Sequence, residues 1–356
     1  MTNGLSGPRK QFLDVLRVLA TCAVVLMHVL TGATDVTDAS IVPEYRSLLL
    51  SVMDLVTWCV PIFLLISGYL FLNPERTLTY PVMIKKYCRR IALAILLFGV
   101  PYAASELVVA ERTFRIRMIP EALKMTLMGH TWSHMWYLYL ILFLYLITPL
   151  LKKVLRVLPV WGVAAVMAVI FLGSSVAPFL NKVLDVNSIP VLPDGGVYFL
   201  YYLCGYFFAV REVCVDKGRN VWLTAAVAVL ALGMILSRTL AGFSIQMAYN
   251  YPFTVLLAVL LFAAGWNGSI RIHRIPWQEA GALSFAVYLV HPVYVNLLYK
   301  FVKITPFTVL EQCGVQSVAA GHVLLLFLLL VFWLLVLATA TAWVLRKIPV
   351  LRKFVL

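Results

Sequence analysis

The chain has 356 residues, of which 63% are hydrophobic and only 12% charged, with a formal net charge of +14 and a mean hydropathy of +0.95. A soluble domain of this length cannot hide so much apolar surface, so composition excludes a water-soluble enzyme and predicts an integral membrane protein. The apolar runs are too long for barrel strands, which leaves an all-α polytopic bundle.

About ten transmembrane helices are predicted, near 12–31, 50–72, 87–107, 134–151, 159–180, 197–211, 220–238, 249–266, 281–301 and 318–345. The first carries FLDVLRVLATCAVVLMHVL, in which Arg17 and His28 are separated by eleven positions. Steps of about 100° bring both onto one helical face, about 16 Å apart along the axis, and Asp14 shares that face. A central Arg costs roughly 2.5–3.5 kcal/mol on insertion scales and turns toward protein, water or an interface. The stripe reads as a polar lining, or as an i,i+3 headgroup anchor with His28 a packed polar residue.

The second span ends WCVPIFLLISGYLFL. Pro61 is expected to bend it and bare a carbonyl near mid-membrane, while Ser67 and Gly68 admit close approach by a neighbour. The following KKYCRR sets Lys86 and Arg90 on one face and Lys85 and Arg89 on the next. Such a cluster either fixes topology or holds multiply phosphorylated cofactor groups. The segment from Glu111 to Lys124, with Arg112, Arg115 and Arg117, reads as an outer interfacial hairpin facing an acidic partner.

HTWSHMWYLY places His130 and His134 at i,i+4 spacing, with Trp136 and Tyr137 beyond. Two histidines are too few for a zinc site and no metal is expected, so a substrate contact or an aromatic interface belt remains. In SFAVYLVHPVYVN, Ser284, Tyr288 and His291 follow i, i+4, i+7 and line one face of the ninth span. His291 precedes Pro292, whose ring perturbs the helix. It serves either the scaffold or the passage.

Most of the 29 Lys and Arg fall in one set of loops and at the two ends: Arg9 and Lys10, Arg76 to Arg90, Lys152 to Arg156, Arg211 to Arg219, Arg271 and Arg274, and Arg346 to Lys353. The positive-inside rule then puts both termini in the cytoplasm. Topology and anionic lipid account for the positive charge without nucleic acid. The six cysteines show no zinc or redox spacing, and Cys22, Cys59 and Cys204 read as small buried groups. The first apolar run lacks a cleavage site and is expected to stay as a span. Residues 1–356 read as one membrane domain with no appended soluble domain.

Intramembrane Arg17, His28 and His291, basic groups below and histidine-aromatic groups above make acyl transfer across the bundle geometrically reasonable, since His takes a hydroxyl proton at neutral pH. The chain resembles the membrane acyltransferase-3 family, and more narrowly the bacterial enzymes that O-acetylate enterobacterial common antigen. The resemblance rests on FLDVLRVLATCAVVLMH (12–28), VPIFLLISGYLF (60–71), HMWYLYLILFLYLITPL (134–150) and SFAVYLVHP (284–292), spread over most of the chain. It implies a ten-helix enzyme of the bacterial inner membrane. Such an enzyme passes acetyl from cytoplasmic acetyl-CoA to a hydroxyl of an extracytoplasmic or lipid-linked glycan. By the same resemblance His28 matches the catalytic histidine and Arg17 its partner. Arg89 or Arg90 matches the basic helix-three motif, His134 and Trp136 open the fourth span, and His291 matches the late histidine. Donor phosphates are then expected at Lys85, Lys86, Arg89 and Arg90, and Asp14, His134, Trp136, Tyr288 and His291 along the passage. The terminal SGNH-type and racemase domains of longer members are absent from these residues. The expected partners are the glycan acceptor and membrane lipids, and the reading allows a homo-oligomer.

A transporter of a polar or glycan-related substrate is the competing reading, because polar groups in helices and a Pro-broken span suit a carrier. The chain shows no paired broken helices in corresponding halves, and flux without covalent transfer would mark that alternative.

Overall fold

The computed structural model describes residues 10–36, 42–210, 217–239, 248–267, 276–314 and 319–356. Arg9, Arg211, Arg271 and Arg274, assigned above to the basic side, lie outside the described residues, as do the side chains of Lys217 and Arg219. Among the described residues the chain is helical throughout. The helices are α1 (Gln11–Val36), α2 (Val42–Val56), α3 (Cys59–Phe71), α4 (Tyr80–Glu111), α5 (Met118–Leu127), α6 (Trp136–Val157) and α7 (Val160–Val183). They continue as α8 (Gly195–Val210), α9 (Lys217–Thr239), α10 (Pro252–Trp266), α11 (Trp277–Asn296), α12 (Pro306–Gln312), α13 (Ala320–Leu345) and α14 (Pro349–Phe354).

Seven helical stretches among the described residues are long and apolar enough to cross a membrane: Gln11–Thr34, Tyr45–Phe71, Tyr80–Glu111, Ser133–Val157, Val160–Val183, Trp277–Gln312 and Ala320–Leu345. Three shorter apolar helices accompany them, at Gly195–Val210, Val221–Ile235 and Pro252–Trp266. Every apolar segment read from the sequence falls on one of these helices. Uniform apolarity on all sides suits a helix bounded by lipid and by other helices.

Two compact units divide the chain. The first comprises Met1–Asn73 and Val160–Ala342, the second Pro74–Pro159 and Trp343–Leu356. In the first unit α1 packs along α11 in parallel, since Asp14 meets Gly281 and His28 meets His291 farther along both helices. At the histidine end of that pairing and beyond it, a core of Val25, Val29, Leu49, Tyr299, Phe307 and Phe327 joins α1, α2, α12, α13 and the turn that ends α11. The approach of α3 to α8 is closer. A Cβ on Gly68 would lie 2.0 Å from the Tyr202 carbonyl oxygen, and one on Gly205 would lie 2.3 Å from that of Leu65. Glycine at both facing positions lets the two backbones meet in this way.

The second span breaks earlier than the sequence suggested. Residues Thr57 and Trp58 separate α2 from α3, and Pro61 sits in the first turn of α3, where a missing N–H is cheap. The carbonyl that Pro61 leaves without its intrahelical donor is that of Thr57, beside the break.

Among the described residues three π turns are present: Met83–Cys88 within α4, Leu172–Val176 within α7, and Leu297–Val302 after α11. Helix α12 begins with a reciprocal cap, Thr305 Oγ1 accepting from Thr308 N at 3.1 Å and Thr308 Oγ1 from Thr305 N at 2.8 Å. In the second unit α5 folds onto α4, and Tyr139 donates to the Thr126 carbonyl.

Candidate functional site

Along α1 the predicted stripe is present and its two ends face α11. Asp14 is 1% exposed and accepts from Arg17 Nη1 at 2.9 Å, an i,i+3 ion pair whose Arg side chain keeps a quarter of its surface. Gly281 makes room for it: a Cβ there would sit 2.8 Å from both Asp14 Cβ and Oδ1. A small residue on α11 therefore lets an acidic side chain pack between two apolar helices.

Further along, His28 and His291 meet edge to face with ring centroids 5.0 Å apart. His28 Nδ1 lies 2.8 Å from the Val24 carbonyl, and His291 Nδ1 lies 3.2 Å from that of Val287. A carbonyl only accepts, so Nδ1 carries the proton in each ring and Nε2 is the basic nitrogen. Pro292 has no N–H to offer the carbonyl of Tyr288, four residues before it on α11. His291 is fully enclosed, whereas His28 is half-buried. Tyr288 completes the row, 6.1 Å from His291 and stacked 6.5 Å from Phe285.

Three groups of the first unit escaped the sequence reading. Tyr249 directs its hydroxyl to Met27 Sδ at 3.5 Å, next to His28 in sequence, and its own carbonyl is held by Tyr201 at 2.7 Å. It also lies within electrostatic reach of Cys59 and Tyr288. Asp54 is 2% exposed near the end of α2. A carboxylate inside the run SVMDLV was the available signal for Asp54; no local pattern marked Tyr249. Gly281, which seats Asp14, looked like any small residue.

The second unit holds the remaining candidates. His134, in the turn before α6, is buried 5.7 Å from Tyr102 and 6.3 Å from Trp132, two rings stacked 4.1 Å apart. Trp136 is 36% exposed with its edge toward Tyr137, 6.2 Å away. His130 lies before that turn and outside any helix, so the i,i+4 face expected for His130 and His134 does not form.

The KKYCRR cluster is split. Its first residues lie in the π turn, which breaks the α spacing behind the shared faces. Lys85 is exposed, and Lys86 sits over the Tyr87 ring at 5.4 Å. Arg89 instead covers Phe354 at 5.2 Å, and Arg90 donates to the carbonyls of Val355 at 2.7 Å and Leu356 at 2.8 Å. The outer arginines are partly engaged within their own segment, since Glu111 pairs with Arg115 at 3.2 Å and with Arg117 at 3.7 Å.

The row on α1 and α11 can do acid–base chemistry: a half-buried imidazole with a defined basic nitrogen, a second imidazole against it, and a guanidinium on the same face about 16 Å away. A family model described as an acyltransferase domain matches residues 10–347. No curated protein and no solved structure matches the chain.

Proposed function

The chain belongs to the acyltransferase family, and from that premise we propose that it moves an acetyl group from cytoplasmic acetyl-CoA to a hydroxyl of an extracytoplasmic or lipid-linked glycan. The observation that carries this reading is the His28–His291 contact, on the helix face that also bears Arg17, in a chain of that family.

In this mechanism His28 Nε2 accepts the proton of the acceptor hydroxyl as its oxygen attacks the thioester carbonyl carbon. The C–S bond then breaks, and the proton passes from His28 to the departing thiolate, leaving an ester and CoA. A transient acyl-histidine is a two-step version of the same balance. His291 backs the His28 ring and limits its rotation, and Arg17 stabilises donor charge. Lys85, Lys86, Arg89 and Arg90 serve the donor phosphates, while His134, Trp136 and Tyr288 serve the acceptor. Ten membrane crossings with both termini in the cytoplasm, in a bacterial inner membrane, complete the proposal. The resemblance of the four sequence motifs to those of enzymes that O-acetylate enterobacterial common antigen is the ground for proposing a surface glycan as acceptor.

The test is transfer of labelled acetyl from acetyl-CoA by the purified chain in liposomes. Mass spectrometry of envelope glycans and lipid-linked sugars, with and without active protein, then looks for an acetyl increment. Solute flux with no covalent product would replace the proposal with transport.

A further inference from the structure

We propose that Arg76, Lys86, Lys152 and Arg156 of the second unit form a binding site for clustered phosphates, the 3′-phosphorylated ADP end of the donor. This rests on the acyl-CoA reading above, and it moves the centre of the phosphate site away from Arg89 and Arg90.

Topology alone asks for exposed charges at a membrane boundary. Lys152 does not fit that requirement, being only 5% exposed on α6. Arg76 and Arg156 lie within electrostatic reach of it. Lys152, Arg76 and Arg156 thus bring three positive charges together, and a bound polyanion would screen their mutual repulsion.

The second observation is how Tyr87 gathers cations. Its hydroxyl accepts from Arg76 Nη2 at 2.6 Å, the same guanidinium lies 5.7 Å from the ring centroid, and Lys86 lies 5.4 Å from it. Tyr87 is on the Met83–Cys88 π turn, which packs on α6, and its ring meets Tyr145 of α6 at 6.4 Å. Widened turns of this kind recur at functional sites because they re-aim side chains. Arg76 and Arg156 offer planar forks to phosphate oxygens, with Lys86 and Lys152 as point charges. Glu75, next to Arg76, is the single acidic residue in 74–90, 152–159 and 343–356, one negative charge among four gathered positive ones. Arg89 and Arg90 are occupied instead with the last residues of the chain.

The experiment titrates the detergent-solubilised full chain with CoA, with adenosine 3′,5′-bisphosphate and with phosphate-free pantetheine. It compares Lys152→Met and Arg156→Gln with the adjacent exposed control Lys153→Gln, each with its Tm. Weakening of CoA and bisphosphate binding by about tenfold in the first two variants, with Lys153→Gln within about twofold and pantetheine unchanged, is expected. Arg156 is exposed near the end of α6, so Arg156→Gln carries the test if Lys152→Met does not fold. Wild-type binding of CoA that every folded variant retains would overturn this site and leave the donor reading standing. A wild type that binds neither CoA nor the bisphosphate would overturn the donor reading and the nucleotide assignment together. In that case charge-dependent binding to phosphatidylglycerol vesicles, lost in Arg156→Gln, would mark the cluster as a lipid site.

Discussion

His28 keeps part of its surface while its partner His291 has none, and both rings hold the same tautomer through backbone carbonyls. That asymmetry separates their expected roles. His28→Ala should lower acetyl-CoA-dependent turnover by about 10²–10⁴-fold at nearly unchanged Tm, the range of a lost general base. Turnover near wild type in a folded His28→Ala protein would remove it from the chemistry. His291→Ala should lower both turnover and Tm, because it deletes the ring against His28 and leaves a cavity at a fully buried position. A lower Tm with normal turnover per folded molecule would confine His291 to the scaffold. At the foot of the row, Gly281→Ala places a methyl 2.8 Å from Asp14. Overpacking should cost about 1–3 kcal/mol, read as a fall in Tm, and Gly281→Leu should cost more.

Among the elements, helices were the easiest to read from the sequence, because a lipid-length apolar run has few alternatives. Their irregularities were not. The break at Thr57–Trp58 comes three to four residues before the proline that seemed to announce it, since Pro61 is tolerated in a first turn. The π turns depend on a hydrogen-bond pattern one residue wider than the α-helix and carry no composition signal. The stripe of Asp14, Arg17 and His28 was legible from period alone, yet its facing helix was not, because rotation is set by packing. The partners of Arg90 lie 265 and 266 residues away, beyond any local pattern. Arg90→Gln should loosen α14, seen as faster hydrogen exchange across 349–356 with little change in the first unit. Equal protection in both proteins would show that the apolar contacts of α14 suffice.

For the molecule as a whole, charge asymmetry is the basis for orientation, and the structure supplies a handle to check it. Cys313, just after α12, is exposed, whereas Cys59, Cys88 and Cys204 are buried. The proposed arrangement, with ten crossings and both termini in the cytoplasm, would turn Cys313 outward. A membrane-impermeant maleimide added to intact cells should therefore label it, with Cys313→Ser as the blank. Labelling that appears only after permeabilisation would invert the orientation and, with it, the side from which the donor enters.

The three widened turns also bear on how the chain tolerates changes in length. A π turn stores one surplus residue, so a single deletion inside it restores an ordinary helix, whereas a deletion elsewhere in a span breaks register. Each such deletion therefore leaves the helix on both sides of the turn in the register it already holds. Removing one residue from Leu297–Val302 leaves the spacing from Gly281 to His291 intact, because the turn follows both. Removing one from Met83–Cys88 re-aims Lys85, Lys86 and Tyr87 within the turn while Arg89 and Arg90 stay anchored to the final helix. Among the described residues, single deletions thus have three addresses at which the helices absorb them, and of these the one in α4 lies among the gathered cations.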